Sequence, residues 1–398
     1  MPIIEAIAQR AAQFGDIRRD LHAHPELCFE ETRTAQRVAE LLESWGIEVH
    51  RGLGRTGVVG VIDGAQGSGR SVGLRADIDA LPVTEKNTFA HASRNPGRMH
   101  ACGHDGHTAM LLAAAQHLSA QRDFAGRVVC IFQPAEEGGG GAREMIKDGL
   151  FERFDVDAVF GMHNWPGIPA GHFALASGPV MASSNEFRIV VRGRGSHAAM
   201  PHLGLDPIPA ACQMVQAFQT IVSRNANPQQ AAVVSVTMIH GGEATNVVPD
   251  SVEIEGTVRT FTDAMLDLIE ARMRALAEHT AQAHGVACDF SFARNYPPTV
   301  NHARETEFAR GVAAALVGDA AVHAFEPSMG AEDFAYMLQQ RPGCYLAIGN
   351  GAGDHRSAGH GAGPCTLHNA SYDFNDDIIA TGASFWVQLA RRWLEQTR

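Results

Sequence analysis

The sequence predicts an α/β protein in two parts: a larger, discontinuous α/β domain with a mostly parallel sheet, and a smaller ferredoxin-like α+β domain inserted into it. Three observations carry this reading. Apolar strand-like runs alternate with helical periodicity in the first third, the order becomes β-α-β-β-α-β in the middle, and the α/β alternation resumes towards the end. For 398 residues, a prior of about 150 residues per domain allows two or three units.

Residues 34–45 carry Val38, Leu41, Leu42 and Trp45 at i, i+3, i+4 and i+7, an amphipathic helix closed by Gly46. Strands are expected at 57–62 and 71–75, then a long loop to His104, a helix at 107–119 and a strand at 127–132. A helix at 142–147 leads to a strand at 158–161. From residue 183 the pattern reads strand 186–191, helix 207–224, strands 232–239 and 251–260, helix 263–284 and strand 287–292. That order is the split-βαβ arrangement. After Tyr296-Pro297-Pro298 a strand at 344–348 and a last helix at 378–395 return to the first pattern. The expected boundaries are 1–182 and 295–398 for the larger domain and 183–294 for the insertion.

Lys plus Arg total 32 against 44 Asp plus Glu, a net charge of −12 that repels phosphate backbones and argues against a nucleic-acid partner. No run approaches the roughly 18 uninterrupted apolar residues of a membrane span. The first residues read as a helix, not a signal peptide. A cytoplasmic location with no membrane association is expected. The seven cysteines (Cys28, Cys102, Cys130, Cys212, Cys288, Cys344 and Cys365) are odd in number and scattered, the pattern of reduced thiols.

Ligand-type residues gather just past apolar strands or in adjoining loops. They occur in Arg75-Ala76-Asp77-Ile78-Asp79, in His100-Ala101-Cys102-Gly103-His104-Asp105-Gly106-His107, in Gln133-Pro134-Ala135-Glu136-Glu137-Gly138, and in Gly161-Met162-His163-Asn164. Open α/β sheets bind ligands outside the carboxyl ends of their strands, so these loops can converge on one crevice. Leu367-His368-Asn369 is a fifth candidate in a late loop. Taken alone, each has a bland reading as well. Cys102 and His104 suit a buried thiol beside a helix-capping histidine, a metal site, or a Cys–His nucleophilic pair. Glu136 and Glu137 suit a solvated acidic loop, or a pair in which one carboxylate ligates a cation while the other handles a proton. Gly138 to Gly141 lacks the Gly-Lys-Ser/Thr ending of a phosphate loop.

Taken together, these motifs resemble one family. Arg19-Asp20-Leu21-His22-Ala23-His24-Pro25-Glu26, the Cys-Gly-His-Asp-Gly-His loop, Gln133 to Glu137, Gly161-Met162-His163, Gly195-Ser196-His197-Ala198-Ala199-Met200-Pro201 and Leu367-His368-Asn369 occur in order over nearly the whole chain. They are similar to the aminoacylase/carboxypeptidase family of two-metal hydrolases, and most of all to its hippurate hydrolase and auxin-conjugate amidohydrolase branch. The resemblance implies a catalytic α/β domain interrupted by a lid and dimerisation domain, hence a homodimer or higher homo-oligomer. It implies that Cys102, His104, Glu137, His163 and His368 hold two divalent metal ions, Cys102 bridging, with Glu136 as the general base. Asp77 would orient a ligand imidazole from behind. His22 and His24 belong to the motif in structural roles.

The wider family has His-x-Asp where this chain has Arg75-Ala76-Asp77, and commonly a bridging carboxylate where Cys102 stands. Thiolate and imidazole favour zinc, carboxylate and water tolerate manganese, and nickel or cobalt also suits imidazole. In the inserted domain the resemblance assigns His197 to the oxygen of the tetrahedral intermediate, in the partner subunit's site. It assigns Asn246 and Arg259 to the substrate carboxylate, a task that suits arginine's planar fork. The implied reaction is hydrolysis of the amide of an N-acyl amino acid. A dipeptidase or carboxypeptidase would use the same amide chemistry.

Overall fold

In the computed structural model, which describes residues 2–396, the chain divides into two compact units. The first takes in the residues up to Gly178, Val300–Glu326, and the residues from Asp333 onward. The second takes in Pro179–Thr299 and Pro327–Glu332.

The first unit is built on an eight-stranded sheet. Its strands are β1 (Glu48–Leu53), β2 (Gly57–Asp63), β3 (Ser71–Asp77), β4 (Arg127–Gln133), β5 (Val159–Pro166), β6 (Phe173–Leu175), β7 (Val322–Ala324) and β8 (Gly343–Gly351). They lie in the order β1-β2-β4-β3-β5-β8-β6-β7. The centre is parallel, through β4/β3, β3/β5 and β5/β8, and so is the edge pair β6/β7. The remaining pairs, β1/β2, β2/β4 and β8/β6, are antiparallel. The fold class is thus α/β with a mostly parallel sheet. Nearly every residue of β3, β4 and β8 is buried, which is why these strands read as continuous apolar runs with no alternation.

The helix His104–Ala120 packs on this sheet and beneath the helices Ala11–Ala23 and Ile379–Glu395. Its Ala-rich middle, Ala113-Ala114-Ala115, lets it be covered on all sides. Trp386, Trp393, Phe160 and Phe173 fill the same core.

Several expectations shift. The helix expected at 107–119 starts at His104, because Gly103 at φ 93° turns the chain one residue ahead of it. The strand expected at 158–161 runs on to Pro166, since parallel pairing with β8 continues through Ala347 opposite His163. His163 therefore sits within the strand and not just past its end. The helix expected at 207–224 is α-helical only to Thr220 and then widens into a π-helical turn, Ile221–Asn225. The short strands β1, β6 and β7 and the helix Ala303–Val317 have no strong local signal.

The second unit holds a four-stranded antiparallel sheet in the order Ala232–His240, Ser251–Thr260, Ser184–Arg192, Ala287–Tyr296. With the helices Pro207–Thr220 and Asp263–Ala283 between strands, this is a ferredoxin-like unit. Both helices begin on a side-chain cap: Asp206 accepts from the Ile208 N–H and Thr262 from the Met265 N–H. The core joins Phe187, Ile189 and Ile254 of the sheet to Met214, Phe218, Ile269 and Met273 of the helices. Strand Ser251–Thr260 alternates buried and partly exposed residues, one face on this core. The unit is wider than 183–294 because Ala182 donates to the Ser328 and Gly330 carbonyls, and Ser328 to the Val180 carbonyl, which ties in Pro327–Glu332. Among the described residues, no helix is long and apolar enough to cross a membrane.

Candidate metal centre

Three neighbouring parallel strands at the centre of the sheet deliver ligand-type residues towards their carboxyl ends. Asp77 ends β3, Glu136 and Glu137 follow β4, and His163 lies on β5. Cys102 and His104 reach the same place through a loop that only glycine permits at position 103. A Cβ on Gly103 would lie 2.2 Å from Asn164 Nδ2 and 2.5 Å from the Tyr372 hydroxyl. Asn164 locks this loop to the sheet: its Nδ2 donates to the Cys102 carbonyl at 2.6 Å, and its Oδ1 accepts from Tyr372 at 2.6 Å.

The five expected metal ligands come together. Cys102 Sγ lies 3.3 Å from His163 Nε2. One ligand atom each from Cys102, His104 and Glu137 falls within 4.8 Å of the others. Glu137 Oε1 is 3.3 Å from His368 Nε2 and 4.0 Å from His104 Nε2. All but His368 are largely buried; its side chain is 56% exposed and gives the cluster a solvent-facing side. His368 has φ 62°, in the left-handed region, and its N–H donates to the Ala101 carbonyl at 2.8 Å.

The hydrogen bonds decide which ring nitrogen each histidine offers. His104 Nδ1 donates to the Asp79 carbonyl oxygen at 3.0 Å, and His163 Nδ1 to the Asn164 carbonyl at 2.6 Å. A carbonyl can only accept, so Nδ1 carries a proton in both imidazoles and Nε2 is the atom each turns to the centre. His104 Nε2 is buried and makes no hydrogen bond.

Asp77 does not do what was expected of it. Its Oδ1 is 2.5 Å from His107 Nδ1 and its Oδ2 2.7 Å from Arg75, while His104 Nε2 is 3.7 Å away. The carboxylate that orients His104 is Asp79, whose Oδ1 lies 3.2 Å from His104 Nδ1. The reason is register: two residues past the strand end, Asp79 reaches under the start of the helix, whereas Asp77 is held by Arg75 and His107. Asp79 Oδ2 also accepts the Glu137 N–H at 2.9 Å and the Cys28 thiol at 3.3 Å. His107 uses both nitrogens, one on Asp77 and one accepting the Asn164 N–H at 2.8 Å, so it serves the frame. Arg75 is fully buried between Asp77 and Asp333 (3.2 Å).

His22 and His24 stand apart from the cluster. His22 is 2.9 Å from Asp105 and 3.2 Å from Glu85, next to the buried Arg18 network, and His24 Nδ1 donates to the Asp20 carbonyl at 2.8 Å. His197, Asn246 and Arg259 belong to the second unit. His197 pairs with Val247 across two short strands, and the Asn246 carbonyl accepts the Ala198 N–H at 3.0 Å. His197 Nδ1 accepts the Ala199 N–H at 3.0 Å, which leaves the exposed Nε2 as the ring's donor. Arg259 is partly buried on Ser251–Thr260, and burial lowers its pKa against the pull of Glu186.

The donor set fits divalent metal. Burial disfavours charge on His104, yet Asp77, Asp79 and Glu137 outweigh it and hold its pKa up at about 10. Burial first, then Glu137 and Glu136, push the Cys102 thiol well up. The pocket is thus rich in negative charge, with a thiol that becomes a thiolate only beside a cation. An orphaned buried nitrogen such as His104 Nε2 costs about 1–3 kcal/mol, and a metal ion would remove that cost.

The chain belongs to peptidase family M20/M25/M40, whose sequence profile matches residues 73–392. It is 40% identical to the hippurate hydrolase of Campylobacter jejuni over 99% of this chain and 100% of that one. It is 40% identical to an N-acetyl-L-cysteine deacetylase of Bacillus subtilis, over 96% and 88% of the two chains. Among solved structures it resembles the Bacillus subtilis YXEP protein, described as a dinuclear metal binding peptidase of the M20 family, with TM-score 0.83 and 34% identity over 98% and 100% of the two chains. The chain is a hydrolase of this metal-binding family.

Proposed function

We propose that this chain is a metal-dependent amidohydrolase that cleaves the amide of N-acyl amino acids, of which hippurate is one, to a carboxylic acid and a free amino acid. One observation supports the reading: Cys102, His104 and Glu137 offer ligand atoms within 4.8 Å of one another, His163 lies 3.3 Å from Cys102 and His368 3.3 Å from Glu137, and Glu136 is next in the chain to Glu137.

Those five residues would hold two divalent ions, zinc or manganese first on donor chemistry, with nickel or cobalt also compatible. When bound, such ions lower the pKa of a water towards about 7 and polarise the scissile carbonyl. Glu136 takes the attacking water's proton and passes it to the leaving nitrogen. His197 donates to the developing oxyanion from the lid of a partner subunit. Asn246 and Arg259 hold the substrate carboxylate, and the part-buried guanidinium of Arg259 supplies locally the attraction that a chain of net charge −12 lacks.

Residues 183–294 act as the lid and as the interface of a homodimer or larger homo-oligomer. Support comes from the edge strand Ala232–His240, which exposes Met238 (43%) and Ile239 (52%). Light scattering would check the oligomeric state. A cytoplasmic location fits seven free cysteines.

The test is Glu136→Gln. The variant keeps its metal and loses about 10²- to 10⁴-fold in turnover; full activity would refute the base assignment. The similarity to a protein described as a peptidase favours one alternative, a dipeptidase or carboxypeptidase. Benzoylglycine, acetyl amino acids and dipeptides assayed side by side separate the two, because only dipeptides present a free α-amino group to the site.

A further inference from the structure

The turn that carries Glu136 bends at Ala135, which has φ 53° and is one of four non-glycine residues with positive φ among the described residues. A Cβ makes that conformation unfavourable, so the surroundings must impose it. What grips it is a carboxylate 104 positions earlier: Glu31 Oε1 accepts the Ala135 N–H at 2.9 Å. The same oxygen accepts the N–H of Phe29 at 2.9 Å, itself at φ 63°, and the other oxygen accepts the Thr56 hydroxyl. Glu31 is wholly buried, with no cation within ion-pair distance among the described residues. A buried carboxylate without a cation is an expensive group for packing alone. Burial pushes its pKa up to about 7, against the Thr56 hydrogen bond.

On the far side of the turn, Asp79 holds the Glu137 N–H at 2.9 Å. Glu136 therefore sits between two backbone amides, each gripped by a buried carboxylate. Asp79 also holds His104 and so belongs to the ligand frame, whereas the Glu31 carboxylate bonds Phe29, Thr56 and Ala135 and, among the described residues, makes no hydrogen bond or ion pair to any of the five ligand residues.

We propose that Glu31 is a positioning residue for catalysis: its grip on the Ala135 N–H fixes the turn that aims Glu136. The inference rests on the reading of Glu136 as the base. Its consequence is specific, because Glu31 should govern kcat without governing metal content.

The test compares Glu31→Ala, Glu31→Gln, Thr56→Val, Glu136→Gln and the double variant Glu31→Ala/Glu136→Gln as full-length metal-loaded proteins. It measures kcat and KM on benzoylglycine, metal stoichiometry by elemental analysis and fold by circular dichroism. Glu31→Ala is expected to lose up to about 10²-fold in kcat, the cost of a misplaced catalytic group, with KM and metal content unchanged. Glu31→Gln keeps an acceptor oxygen and should recover part of that loss. In the Glu136→Gln background the Glu31 change should cost nothing further. Unchanged kcat in folded Glu31→Ala, metal lost in step with activity, or losses that multiply in the double variant would each overturn the proposal. If Glu31→Ala does not fold, Glu31→Gln and Thr56→Val decide, and full activity in both overturns it. A fully active Glu136→Gln enzyme exposes failure of the base assignment by itself, in that variant alone.

Discussion

Asp79 lies under His104, its Oδ1 3.2 Å from the imidazole Nδ1, while its second oxygen holds the backbone of Glu137. One carboxylate thus orients two of the five expected metal ligands. Burial alone would raise Asp79, but His104 outweighs it and keeps the pKa below the usual carboxylate range.

Asp79→Asn is therefore expected to weaken metal affinity by about 10- to 100-fold, the usual loss when a ligand's supporting partner is removed. The amide has a single acceptor oxygen, so either the Glu137 N–H or the His104 ring loses its side-chain acceptor, and His104 is then left with the Asp79 backbone carbonyl alone. Competition against a chromogenic chelator measures this directly, and wild-type affinity would refute the role.

Gly103→Ala should destabilise the protein by about 3 kcal/mol, combining left-handed strain of about 1–3 with overpacking of about 1–3. The clash falls on Asn164 and Tyr372, so metal binding should suffer with the fold. A denaturant titration with a parallel metal assay checks both.

Removal of metal by a chelator should abolish activity and lower Tm, and add-back should restore them in the order of the ions the donors prefer. Saturation at about a hundred times Kd contributes about 2.7 kcal/mol. A chelated enzyme with full activity would favour a thiol mechanism at Cys102, which alkylation would then block.

The stability of the metal-loaded protein should fall at alkaline pH through His22. Burial opposes its charge, but Asp105 and Glu85 outweigh burial and raise the pKa from 6.5 to about 9. A raised pKa means the folded state binds the extra proton. The contribution is complete below pH 6.5 and is lost as pH rises through about 9. His22→Gln should flatten that part of the profile of urea midpoint against pH.

Much of this centre is legible in the amino-acid sequence. Cys102-Gly103-His104, Glu136-Glu137 and His163 sit in short runs where ligand types adjoin apolar strands, and β3, β4 and β5 are buried enough to stand out as such. The ferredoxin-like insertion is visible because its strands alternate and its helices are long. The short strands β1, β6 and β7 are not, since their runs carry no distinguishing period.

The sequence by itself determined the ligand types, the α/β alternation and the family, because these depend on local spacing and composition. The tertiary structure alone decided that Asp79, not Asp77, supports His104, that His107 is spent on the frame, and that Glu31 reaches Ala135. Each of those is a choice of hydrogen-bond partner between segments distant in the chain. Such choices depend on which atoms the folded backbone places about 3 Å apart, a quantity that no local pattern encodes.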